Sequence, residues 1–101
     1  MIGIEFHFHD GAIGAALAIR VKVTGSENKI DRVLKDGTVI VTIKKKTVNL
    51  NGDVIAYLAE QLGIDQKRFD IIAGEESKEK IISILDIKPG ELQSLILGKL
   101  S

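Results

Sequence analysis

Leu17, Ile19, Val21 and Val23 alternate with Ala18, Arg20, Lys22 and Thr24. Successive side chains of a strand point to opposite faces, so this run buries one face and wets the other. That segment alone commits the chain to a sheet covered mainly on one side. Ile4, Phe6 and Phe8 alternate with Glu5, His7 and His9 in the same way, and Asp10-Gly11 is a turn signal. The first two strands are therefore expected to pair, with Glu5, His7 and His9 facing solvent at an edge and most of the aromatic rings in the core. Thr38 to Ile43 is dense in β-branched residues, which suit a pleated surface. Val39, Val41 and Ile43 are expected to face inward. Before it, Gly25 to Asp36 reads as an irregular connection or a short strand, and Asp36-Gly37 as a hairpin turn.

Helical spacing appears twice. Val54, Ile55, Leu58, Ala59 and Leu62 fall on one helix face. Asn51 is a suitable cap for that helix, Asp53 suits its dipole, and Gly63 fits its end. Leu92, Leu95, Ile96 and Leu100 form a second apolar stripe behind Pro89, which is well placed in a first turn. Between the two, Phe69 to Ala73 and Lys80 to Leu85 read as strands returning antiparallel. The order is β-β-β-α-β-β-α. It implies an α+β two-layer sandwich, a mixed four- to five-stranded sheet with two helices on one face. With 101 residues, the chain is expected to be a single domain, 1–101.

Lysine and arginine total 14, and aspartate and glutamate also 14. Zero net charge excludes a uniformly basic nucleic-acid binder. The charges nevertheless segregate along the chain. From Arg20 through Lys46, eight basic residues face three acidic ones; from Asp53 through Glu91, five basic residues face nine acidic ones. A dipolar surface follows if these halves stay apart in space. Cysteine is absent, which removes disulfides and thiolate chemistry. The start lacks the basic-then-apolar pattern of a signal peptide, and no run matches a membrane span. The expected location is the cytoplasm, with no membrane partner.

Few groupings suggest chemistry. Glu5, His7 and His9 lie at spacing two, and His-x-His on a strand can hold Zn²⁺ with an added oxygen ligand. The commoner reading is a polar edge. Lys44, Lys45 and Lys46 are the only run of three like charges. Near a helix start they suit an anion, although lysines at a strand end more often only discourage edge pairing. The Gly74-to-Lys80 stretch lacks the P-loop spacing, and Gly11-x-x-Gly14 precedes a strand rather than a helix, so neither is a nucleotide fingerprint. No Ser-His-Asp grouping is readable.

Three segments carry a family resemblance: AIRVKVTGSENKIDRV, NLNGDVIAYLAEQLGI and FDIIAGEESKEKIISI. Across residues 17 to 97 the chain resembles the YggU-like proteins, small domains without an established biochemical function. The resemblance is strongest at Asn51 and its helix, and at Gly74, Ser77 and Lys80. It implies the same two-layer α+β fold. Lys78 stands where the family usually has Arg, Lys44-Lys45 replace its usual Pro-Pro pair, and Thr47-Val48-Asn49 replace its Asp-Gly-Lys or Asp-Gly-Gln step. Gly25 stands where Pro is common.

Taken together, these residues point to a non-enzymatic binding module without a cofactor. Lys44, Lys45, Lys46, Asn49, Asn51, Lys78 and Lys80 are expected to converge on one anion-accepting surface, for RNA or a phosphorylated ligand. A protein–protein adaptor is the second reading. A metal-binding or catalytic domain using His7/His9 with Glu5, or Asn51/Lys80, is the third.

Overall fold

The apolar alternation that opens at Leu17 extends backward through small residues, so the strand called β2 here runs from Ile13 to Thr24. Its length lets one edge serve two partners. The computed structural model describes residues 2–24, 27–44 and 49–100. In it β1 (Ile4–His7) pairs antiparallel with the first part of β2, and β4 (Val39–Lys44) pairs parallel with the second part. β3 (Lys29–Val33), from the polar 25–36 segment, flanks β4 and brings the sheet to six strands. On the other side of β2 lie β6 (Glu79–Leu85) and β5 (Phe69–Ala73), both antiparallel. The order is β3-β4-β2-β6-β5, with β1 beside β2. The chain is thus an α+β sandwich with a mixed open sheet and two helices, α1 (Leu50–Leu62) and α2 (Pro89–Leu97).

Residues opposed across neighbouring strands share a face. One face therefore collects Leu17, Ile19 and Val21 with Val39, Val41, Ile43, Ile82, Ile84 and Phe69. These pack with Val54, Leu58, Ala59 and Leu62 of α1 and Leu92 and Ile96 of α2 in one core. Both helices thus cover this inner face. Fully burying each such large side chain contributes about 1.5–3 kcal/mol. Among the described residues, no helix is long and apolar enough to cross a membrane.

Four expectations need correction. Leu100, expected on the stripe of the last helix, lies beyond the end of α2 and bridges to Ile30. The cap of α1 is Asn49, whose Oδ1 accepts from the Gly52 N–H at 3.0 Å; Asn51 lies inside the first turn. β1 ends at His7, so His9 belongs to the following turn rather than to the strand. Ile4 and Phe6 oppose Ala16 and Gly14, on the face without helices. Ile4 is 67% exposed there, and Phe6 and Phe8 are half-buried outside the core, so of the three phenylalanines only Phe69 joins it. The alternation in β1 was real, but its apolar side meets the outer face of the sheet.

Gly14 marks where that outer face is pinched. A Cβ at this position would sit 2.0 Å from the Ile84 carbonyl oxygen. Only glycine allows β2 and β6 to approach so closely there.

Candidate anion-binding face

The outer face of the sheet is built by the alternate residues of β2, β4 and β3. Arg20 opposes Ile40, which opposes Arg32. One step along, Lys22 opposes Thr42, which opposes Lys29, and one step further Thr24 opposes Lys44. Five cations therefore share one sheet face. Residues two apart on a strand are separated by roughly 6.8 Å, and strands two apart by roughly 10 Å. Ile40 is 1% exposed although no helix covers it. Its cross-strand neighbours are Arg20 and Arg32.

Arg20 is partly neutralised. Its Nη2 donates to Glu79 Oε1 at 3.0 Å in an exposed ion pair. Asp36, at the β3–β4 turn, accepts from the Thr38 N–H at 2.9 Å. Those Thr38 bonds, helped by the Arg20 charge, hold its carboxyl below the usual carboxylate range. Lys22, Lys29, Arg32 and Lys44 form no ion pair among the described residues. A groove of about 500 Å³ lined by Arg20, Lys22, Thr24, Lys78 and Glu79 runs beside β2, where β6 stops.

The residues expected to form the anion site divide into three groups. Lys44 lies exposed on the outer face, its N–H donating to Asn28 Oδ1 at 2.6 Å. Lys78 is exposed in the β5–β6 turn and shares the groove with Lys22. Lys45 and Lys46 lie outside the described residues. Asn49, Asn51 and Lys80 have structural work instead. Lys80 opposes Ile19 on the inner face and is 3% exposed. Its Nζ donates to the Gly74 and Glu75 carbonyls, each at 3.0 Å. Burial pushes its ammonium below the usual lysine range, with Glu75 acting against that shift. Asn51 Nδ2 donates to the same Glu75 carbonyl at 3.0 Å.

Asn51 and Lys80 thus converge, but on the backbone of the β5–β6 turn. Gly74 (φ 76) begins that turn, and a Cβ there would lie 2.1 Å from the Glu79 carbonyl oxygen. The Ser77 N–H donates to the Gly74 carbonyl at 3.0 Å, and Ser77 Oγ accepts from the Glu79 N–H at 3.0 Å. Asn51, Gly74, Ser77 and Lys80 therefore form one clamp joining this turn to α1. The Lys80 ammonium is enclosed and spends two of its three donors on carbonyls, while Asn51 Oδ1 is buried with no hydrogen-bond partner among the described residues.

His7 Nε2 lies 2.9 Å from Glu5 Oε2, and both side chains are exposed. Among the described residues, no group of three or more His, Asp or Glu gathers where it could hold a metal ion. No protein-family model matches the chain.

The cations at 20, 22, 29 and 32 were visible in the sequence as a charge excess without a location. The available signal was the spacing of two at Arg20/Lys22, in register with Thr42/Lys44. The irregular pairing between Ile30 and Arg32 hid the rest, because Asp31 is an inserted residue that breaks the alternation of β3.

Proposed function

We propose that this chain is a non-enzymatic, cytoplasmic binding domain of the YggU-like kind, whose outer sheet face receives the phosphate backbone of a nucleic-acid strand, RNA foremost. The observation that carries this reading is the gathering of Arg20, Lys22, Lys29, Arg32 and Lys44 on one helix-free sheet face. Lys78 extends it along the groove beside β2. Solvated ammonium and guanidinium groups bind phosphates by releasing counterions, so affinity falls steeply with salt. Four unpaired cations correspond to a slope of log K against log[salt] of about −3 for a single strand.

The test is fluorescence anisotropy with a labelled single-stranded RNA at low salt. Lys22→Ala/Arg32→Ala is expected to weaken binding and flatten the slope by about 1.4. Equal binding by the double variant and the wild type would overturn the proposal.

A protein–protein adaptor is the second reading. Ile4, Ile72 and Ile81 favour it, since all three are large, apolar and exposed. It predicts self-association or a stable protein complex in sedimentation, unaffected by the two-cation variant.

A further inference from the structure

Further along β2 from the cationic rows, the outer face of the sheet dips. Across four strands, Ile4, Ala16, Ser83 and Asp70 stand in one row, and Phe6 and Gly14 begin the next. Small residues in the middle and bulky ones at the sides make a trough of about 340 Å³. Phe6, Phe8 and His9 form one wall, Asp70 and Ile72 the other, and Ser83 lies at its floor. The two phenylalanine rings meet edge to face, with centroids 4.8 Å apart. Ser83 is fully buried, and its Oγ has no hydrogen-bond partner among the described residues.

An orphaned buried hydroxyl has an unmet need, because a buried polar group without a partner costs stability. The volume falls in the range of small-molecule sites, roughly 300–1,000 Å³. Its wall chemistry is that of a platform for a planar ring. Asp70 excludes a phosphate from the trough by like-charge repulsion, while the cations some four residues further along β2, roughly 14 Å away, attract one. A polyanion that also carries planar rings satisfies both ends of the face.

We infer that the trough takes one unstacked nucleobase of a single strand whose backbone lies on the cationic rows, and that the base is guanine. This rests on the backbone reading above and adds a base site to it. Guanine offers two adjacent donors, its ring N1–H and its exocyclic amino group. A carboxylate has two acceptor oxygens and no donor, so Asp70 complements that edge and no other base edge as fully. Phe6 and Phe8 supply an apolar contact to the ring, which tolerates any base, and Asp70 supplies the choice.

Three ten-nucleotide strands separate the two claims: alternating uridine and guanine, uridine alone, and an abasic strand of equal charge. In anisotropy titrations at low salt, the alternating strand is expected to bind about tenfold tighter than the abasic one. Asp70 is exposed, so Asp70→Asn is expected to fold normally. It should remove the advantage of guanine over uridine. Equal affinity for all three strands overturns the base site and leaves the backbone reading standing. Tighter binding of both base-bearing strands without a guanine preference overturns the guanine assignment. Failure of every strand to bind overturns both.

Discussion

Lys80 shows how far a residue's chemical type can be from its place in the fold. A lysine at a strand start near other basic residues reads as part of a cationic surface. Its position opposite Ile19 turns it inward, where two carbonyls hold it. Hydrogen bonds from a charged donor contribute about 1.5–3 kcal/mol each, and desolvation of the ammonium opposes them. Lys80→Met is predicted to loosen the β5–β6 turn, read as faster amide exchange at Ser77 and Glu79. The pH dependence has a definite sign. The folded-state pKa is lowered from 10.5, so the unfolded chain binds the proton more tightly. Stability from this group therefore rises with pH between the depressed value and about 10.5, and Lys80→Met should abolish that rise in urea unfolding. The helix cap is a second case. Asn49 and Asn51 are equally good caps by residue type, and only the backbone decides. Asn49→Ala is expected to cost about 1 kcal/mol of stability in the same assay.

At the scale of elements, the alternating patterns were legible and their orientation was not. Period two tells which residues share a face, but not which face is covered. For β2 the two questions had one answer, because Leu17, Ile19 and Val21 outweigh Ala18, Arg20 and Lys22. β1 differs. It pairs with Ile13–Ala16, a stretch of β2 with little side-chain bulk, and register alone sends Ile4 and Phe6 outward. Stability should reflect this. Leu17→Ala, in the core, is predicted to cost about 2–5 kcal/mol. Ile4→Thr should change stability by no more than about 0.5 kcal/mol. A large loss from Ile4→Thr in thermal or denaturant unfolding would mean that β1 is covered on its apolar side. The helices were easier to read, since Pro89 and Gly63 punctuate them and a one-sided stripe buries in only one way. Gly63 at φ 67 closes α1 with its N–H bonded to the Ala59 carbonyl, as a left-handed C-terminal residue should.

For the whole molecule, the charge halves of the sequence became a surface with direction. Of the basic residues between Arg20 and Lys46, Arg20, Lys22, Lys29, Arg32 and Lys44 collect on the outer face because β2, β3 and β4 lie side by side and these cations fall on shared rows. Strand neighbourhood, and not chain proximity, made the face, so no local motif announces it. The run at Lys44 drew attention because it is contiguous, whereas Arg20, Lys22, Lys29 and Arg32 matter because the sheet aligns them. The measurement that tests this most directly is the salt dependence of single-stranded RNA binding, compared between the wild type and Lys22→Ala/Arg32→Ala. A wild-type slope of log K against log[salt] near about −3, falling in magnitude by about 1.4 in the variant, is predicted. A slope that is the same in both proteins, or a wild type that binds no RNA at low salt, would contradict the assignment of the outer sheet face as a phosphate-binding surface.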